Sequence, residues 1–231
     1  MTDVSIVKCE DYSKENVSKA LNDLINLVGG LDWVKKDMKI AIKANLVTFM
    51  KPDAAGTTHP ALLCELVRLL TEKGAKVTVG DSPGGLYTSA FVNKVYSVTN
   101  INEIEKYGGI LNQNFEKKST TFEDAKVLKD FEYTSYLDDA DAIINFCKLK
   151  THGMMGMSAA VKNLFGTIPG TLKPEYHFRF PDHADFADML IDLNEYFKPK
   201  LCIVDAVVGM EGNGPTMGKP RHIGALLAST N

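Results

Sequence analysis

Two stretches of this chain, Ala142-Ile143-Ile144-Asn145-Phe146 and Leu201-Cys202-Ile203-Val204, are apolar almost without interruption. A strand can use such a run only when both of its faces are covered, which is the situation inside α/β sheets flanked by helices. The remaining pattern fits. Residues 4–7, 39–43, 76–79 and 223–228 read as further strands, with Ile40 and Ile42 alternating in the second.

Helical patterns fall between them. Ser13 is placed to cap a helix to about Val28, with Val17, Leu21, Leu24 and Val28 on one face and Gly29-Gly30 ending it. Pro60 opens a second helix with Leu62, Leu63, Leu66, Leu69 and Leu70 as its stripe, closed by Gly74. A third helical region, residues 89–106, is broken near 98–100, and residues 109–138 read as short strands and turns. A fourth helix carries Phe186, Met189, Leu190, Leu193 and Phe197 after a long irregular segment, residues 166–182. The expected fold is one α/β domain over 1–231, a mostly parallel or mixed open sheet with helices on both faces in three layers. The chain stops directly after a core strand, so the domain is expected to be truncated at its C-terminal end.

Composition narrows the function. At 231 residues and 45% hydrophobic the chain can bury a sizeable core, and a net charge of -3 argues against a nucleic-acid binder. No apolar run approaches the roughly 20 residues that span a bilayer, and the start lacks a secretory pattern. A cytoplasmic protein without membrane contact is expected. The cysteines, Cys9, Cys64, Cys147 and Cys202, form no close pair, so neither a zinc nor an iron–sulfur site is indicated. Cys147 adjoins Lys148, and a cation there is expected to make the thiol reactive.

Residues suited to chemistry collect just after the predicted strands, where open α/β sheets bind ligands. Lys43, Asn45 and His59 follow the second strand, Asp81 and Ser82 the third. Lys148, Lys150, Thr151 and His152 follow residue 146, and Lys162 and Asn163 come shortly after. The lysines point to a small anionic ligand, phosphate or carboxylate. Lys150, Lys162 and His152 are the candidate catalytic groups, with His152 held neutral by its cationic neighbours as an acid/base. In the glycine-rich stretch 209–218, Gly212 and Gly214 permit backbone approach to a ligand, but neither a P-loop nor a dinucleotide fingerprint is present. Asp205, Glu211 and His177, with His183 nearby, are candidate ligands for a divalent metal. Residues 166–183 are a candidate lid over the cleft.

Taken together, Ile42-Lys43-Ala44-Asn45-Leu46, Thr58-His59-Pro60, Gly80-Asp81-Ser82, Lys148-Leu149-Lys150-Thr151-His152, Val161-Lys162-Asn163-Leu164-Phe165-Gly166, Val204-Asp205 and Glu211-Gly212-Asn213-Gly214-Pro215 resemble the family known as domain of unknown function 362. Ala44 stands where that family carries proline. Many relatives continue into a ferredoxin-like segment with iron–sulfur motifs, so the resemblance implies a redox context and a ferredoxin-like domain or protein as partner. A [4Fe-4S] cluster is implied only for a longer relative. Three functions are expected in turn: an enzyme acting on a small anion, a docking module for a partner or cofactor domain, and a metal-dependent hydrolase.

Overall fold

The computed structural model describes residues 4–230. Its elements in chain order are β1 (Val4–Lys8), α1 (Lys14–Leu27), β2 (Lys39–Lys43), α2 (Pro60–Glu72), β3 (Lys76–Gly80), α3 (Ser89–Val98), β4 (Ile110–Leu111), β5 (Lys117–Thr121) and β6 (Asp130–Thr134). Then follow β7 (Ala142–His152), β8 (Gly156–Ser158), α4 (Ala160–Asn163), α5 (Lys173–Arg179), α6 (His183–Phe197), β9 (Leu201–Glu211) and β10 (Lys219–Ser229).

One sheet runs in the order β1-β10-β9-β7-β2-β3-β4, with β8 added to β7. Strands β9, β7, β2, β3 and β4 are parallel, whereas β10 and β1 close one edge antiparallel. Strands β5 and β6 form a separate ribbon. From β2 the chain moves outward to β3 and β4, then returns to β7 on the other side of β2. That reversal between β2 and β7 is a topological switch point, and a crevice opens there beyond the carboxyl ends of the strands.

Alternation along the strands builds three layers. Ile40, Ile42, Val77, Val79, Ile144 and Phe146 bury one face of the sheet against α1, α2 and α3. On the other face Ala41 and Ile143 meet Tyr136, Leu137 and Phe197 of α6, whose Phe186, Met189, Leu190 and Leu193 join Phe131 and Tyr133 of the ribbon. Leu62, Leu63, Leu66 and Leu70 of α2 are fully buried, each contributing about 1.5–3 kcal/mol, while Leu69 is half-buried. Ser13 stands at the N-cap of α1 without a side-chain cap; Asp11 Oδ1 instead accepts from the Ser13 N–H and from Asn16 Nδ2, both at 2.8 Å. The expected break after α3 is Asn100, in the left-handed region at φ 59°.

Two expectations are corrected. Strand β7 does not stop at Phe146 but continues through His152, so Lys148 and Lys150 are strand residues and not loop residues. Past the sheet its backbone pairs with β8 (Lys150 with Ser158, His152 with Gly156) and with Met210 of β9. That pairing outweighs the charge that made the stretch read as a loop. Residues 166–182 are likewise not irregular: they form short 3-10 turns and α5, with Ile168, Tyr176 and Phe180 buried.

Candidate functional site

Parallel register sets lysines beside acidic neighbours. Lys43 ends β2 opposite Gly80, one residue before Asp81, and Lys148 of β7 lies opposite Asp205 of β9. Lys43 Nζ sits 2.7 Å from Asp81 Oδ1 and donates to Ala44 O and Asn163 Oδ1, both at 2.9 Å. Asp81 Oδ2 accepts from the Leu46 N–H at 2.7 Å. Lys148 Nζ donates to Asp205 Oδ2 (2.7 Å), Tyr12 Oη (2.8 Å) and Val208 O (2.9 Å). Tyr12 Oη in turn donates to Asp205 Oδ1, and the His59 N–H to Asp205 Oδ2.

Lys148 thus has an acceptor for all three hydrogens, whereas Lys43 donates two hydrogen bonds and meets Asp81 Oδ1 in ion contact only; both pairs are essentially inaccessible to solvent. A buried pair is tolerable when its other donors and acceptors are largely matched. Lys43 and Lys148, expected to bind a ligand, are in the wall of a pocket, but each is engaged by a buried carboxylate. Asn163 belongs to the same framework, donating to Asn145 Oδ1 at 2.7 Å. Gly166 belongs to it by having no side chain, since a Cβ there would collide with Lys43 Nζ and Asp81 Oδ1.

Between these pairs and α5 lies a pocket of about 180 Å³, with Lys150, Lys162, Lys173, His152, His177, Asn45, Ser82 and Phe165 in its wall. Its three remaining lysines have few partners. Lys150 is 3% exposed and, among the described residues, its ammonium donates only to Gly56 O, at 2.5 Å. Lys162 Nζ lies 5.4 and 5.9 Å over the rings of Phe165 and Phe186, with no hydrogen-bond acceptor or carboxylate among the described residues. Lys173 donates to Ser82 O and, at 3.4 Å, to Pro83 O. Burial pushes Lys150 and Lys173 down to about 7 and Lys162 to about 8, with neighbouring lysines acting in the same direction on each.

The histidines are neutral there. Burial, then Lys162, hold His152 down to about 4, and the same two causes lower His177. His152 Nδ1 accepts from the Met154 and Met155 N–H groups at 3.2 Å, so its hydrogen resides on Nε2. His152 therefore presents a donor, and the expected proton acceptor at this residue is corrected. His177 stacks on Phe186 at 4.7 Å, and its Nδ1 is buried without a hydrogen-bond partner among the described residues.

Several expected site residues lie elsewhere. Thr151 Oγ1 donates to Gly212 O at 2.8 Å and ties the two hairpins together; a Cβ on Gly214 would strike Thr151 O. His59 caps α2 through Nδ1 and stacks on Tyr12 at 3.5 Å, outside the lysine pocket. The metal candidates are not brought together: Asp205 serves Lys148, Glu211 faces Arg221 at an exposed site, and His177 sits among cations that would repel a metal ion. His183 is exposed at the start of α6, capped by Asp182. Among the described residues no group of three or more His, Cys, Asp or Glu is placed to share a metal. Burial raises the Cys147 thiol pKa, and alternation puts Cys147 on the face of β7 opposite Lys148, so it is not the reactive group expected. Sequence reading missed Lys173 and Tyr12; Tyr12 stands in the charged stretch 8–15, well before the strand ends that drew the reading.

Comparison with known proteins bears on fold and kinship. A curated relative, the thylakoid-associated protein sll1697 of Synechocystis sp., is 32% identical over 98% of this chain and 70% of its own. Among solved structures, the lactate racemase apoprotein of Thermoanaerobacterium thermosaccharolyticum matches with a TM-score of 0.55 at 12% identity. That match covers 97% of this chain and about half (54%) of the racemase chain, and it shows a shared fold. Among the described residues no helix is long and apolar enough to cross a membrane. The model of the domain of unknown function DUF362 matches residues 40–231, and the chain belongs to that family.

Proposed function

We propose that this chain is an enzyme acting on a small phosphate- or carboxylate-bearing molecule held in the lysine pocket. One observation carries the reading. Lys150, Lys162 and Lys173 line a single pocket and, among the described residues, none has a carboxylate within ion-pair distance; Asp81, also in the wall, is paired with Lys43, and Asp205 with Lys148. Cations that are buried, as Lys150 is, or half-buried, as Lys162 and Lys173 are, and short of partners are costly, and an anion supplies what they lack. The amines of Lys150 and Lys162 change protonation near neutrality, which suits them to move protons on a bound ligand. His152 adds an Nε2–H donor for a ligand oxygen.

The depth of the site favours an enzyme over a docking surface. Met154 and Met155 are half-buried against the α6 core, and of this methionine run only Met157 is exposed, which supports a pocket over an apolar docking rim.

The test is thermal stabilisation of the wild type and of a Lys150→Ala, Lys162→Ala double variant by a panel of phosphorylated and carboxylated metabolites. A ligand at a hundred times its Kd should stabilise the wild type by about 2.7 kcal/mol and the variant far less. A panel that leaves the wild-type midpoint unmoved refutes the reading.

A further inference from the structure

The three pocket lysines are not equivalent. Lys162 stands over two aromatic faces, a setting that favours the ammonium form. Lys173 is tied to two carbonyls of the Ser82–Pro83 turn. Lys150 projects from the rigid end of β7, is 3% exposed, and has one carbonyl partner, so its nitrogen retains a free valence toward the cavity. Among the described residues no carboxylate lies within ion-pair distance of it; the Asp81 charge favours its cation, but burial outweighs that and brings the amine down to about 7. A desolvated lysine beside other cations is the setting in which an amine becomes a nucleophile toward carbonyl carbon.

We propose that Lys150 is a nucleophile that condenses with the carbonyl of a small 2-oxo acid whose carboxylate rests between Lys162 and Lys173. This rests on the anion-binding reading given above and narrows its ligand to a carboxylate bearing an adjacent carbonyl. In the step itself the Lys150 nitrogen lone pair forms a C–N bond and the carbonyl π pair moves onto oxygen. The Lys162 ammonium protonates that oxygen and recovers the proton shed by nitrogen. A second proton transfer along the same path releases water and leaves a C=N bond. One amine and one carbonyl give one imine and one water, with no oxidant or reductant consumed.

The experiment is reductive trapping. Wild-type protein is incubated at pH 7 with pyruvate, glyoxylate or acetone, treated with sodium cyanoborohydride, digested and mapped by mass spectrometry. Thermal shift with the non-carbonyl acid lactate runs in parallel. The expected result is a reduced pyruvate or glyoxylate adduct on the Lys150 peptide, at least about tenfold above any surface lysine, since those are less than about one-thousandth neutral at this pH. Acetone should label Lys150 weakly, and Lys150→Arg should abolish the adduct while still being stabilised by lactate. Stabilisation by lactate with no adduct at Lys150, or an adduct on Lys162 or Lys173 instead, overturns the nucleophile assignment but leaves the anion site standing. Neither stabilisation nor adduct overturns both readings. Equal labelling by acetone and pyruvate overturns the carboxylate anchor.

Discussion

Four lysines are held below their ordinary range by burial, Lys43 among them, and the three with values near neutrality give the native state an unusual dependence on pH. In the unfolded chain a lysine titrates near 10.4, so at pH 7–8 it is charged, whereas Lys150 and Lys173 at about 7 and Lys162 at about 8 are partly neutral when folded. The unfolded state then binds more protons, and stability must rise with pH through this window. Averaged from pH 7 to 8, the two lysines near 7 are each about three-quarters neutral and Lys162 about one-quarter, which amounts to about 2 kcal/mol gained across that unit. His59, His152 and His177, all lowered, act with the same sign at lower pH, up to the ordinary histidine value near 6.5. The buried thiols oppose it above about 8.5, where unfolded cysteines ionise and the folded ones do not. Urea unfolding followed by circular dichroism at half-unit steps from pH 6 to 9 measures the effect. Lys150→Met should remove about 1 kcal/mol of the gain between pH 7 and 8. Saturating lactate, an anion with no carbonyl to condense with Lys150, should favour the charged lysines in the native state and flatten the slope further. A wild-type stability that is level or falls between pH 7 and 8, or a Lys150→Met slope equal to it, refutes the argument.

Lys43→Met, which strands Asp81 in the interior, should cost about 3–5 kcal/mol in denaturant unfolding, and adding Asp81→Asn should recover a large part of it. If the second substitution makes the loss additive, the two side chains are not coupled. Gly166→Ala should destabilise by about 1–3 kcal/mol, because its methyl group meets the Lys43–Asp81 pair; thermal unfolding reads this directly. In the native state Cys147 should resist thiol reagents, with labelling appearing only as the protein unfolds, so fast labelling of the native protein would count against its burial.

The fold was largely legible because its strongest signals are periodic. Continuous apolar runs in β7 and β9 and the leucine stripe of α2 each admit few alternatives, and the three-layer arrangement followed from them. Where the reading failed, charge concealed structure. Lys148, Lys150 and His152 look like loop residues until β8 and β9 supply partners for the backbone, and no local pattern announces pairing with a strand downstream. The candidate residues were read onto the edge of the sheet where the pocket lies, yet their surroundings differ. Lysine looks the same in sequence whether its ammonium faces a carboxylate or a cavity. Only the register that sets Lys148 beside Asp205, and Lys43 one residue short of Asp81, separates structural cations from available ones. Lys173 was hidden for a related reason, since its place in the wall depends on how α5 folds back onto the turn after β3.

Ser82 holds that fold-back in place with every polar group it has. Its N–H donates to Gly166 O at 3.2 Å, its hydroxyl accepts from the Gly170 N–H at 2.8 Å, and its carbonyl accepts from Lys173. The opposite wall consists of two hairpins continuous with the central sheet, which cannot part without unfolding it. Widening of the pocket is therefore expected at this seam. Three hydrogen bonds at about 1 kcal/mol each would keep a form with the seam parted to about 1% of molecules. Exchange kinetics, more than affinity, should therefore respond to what occupies position 82.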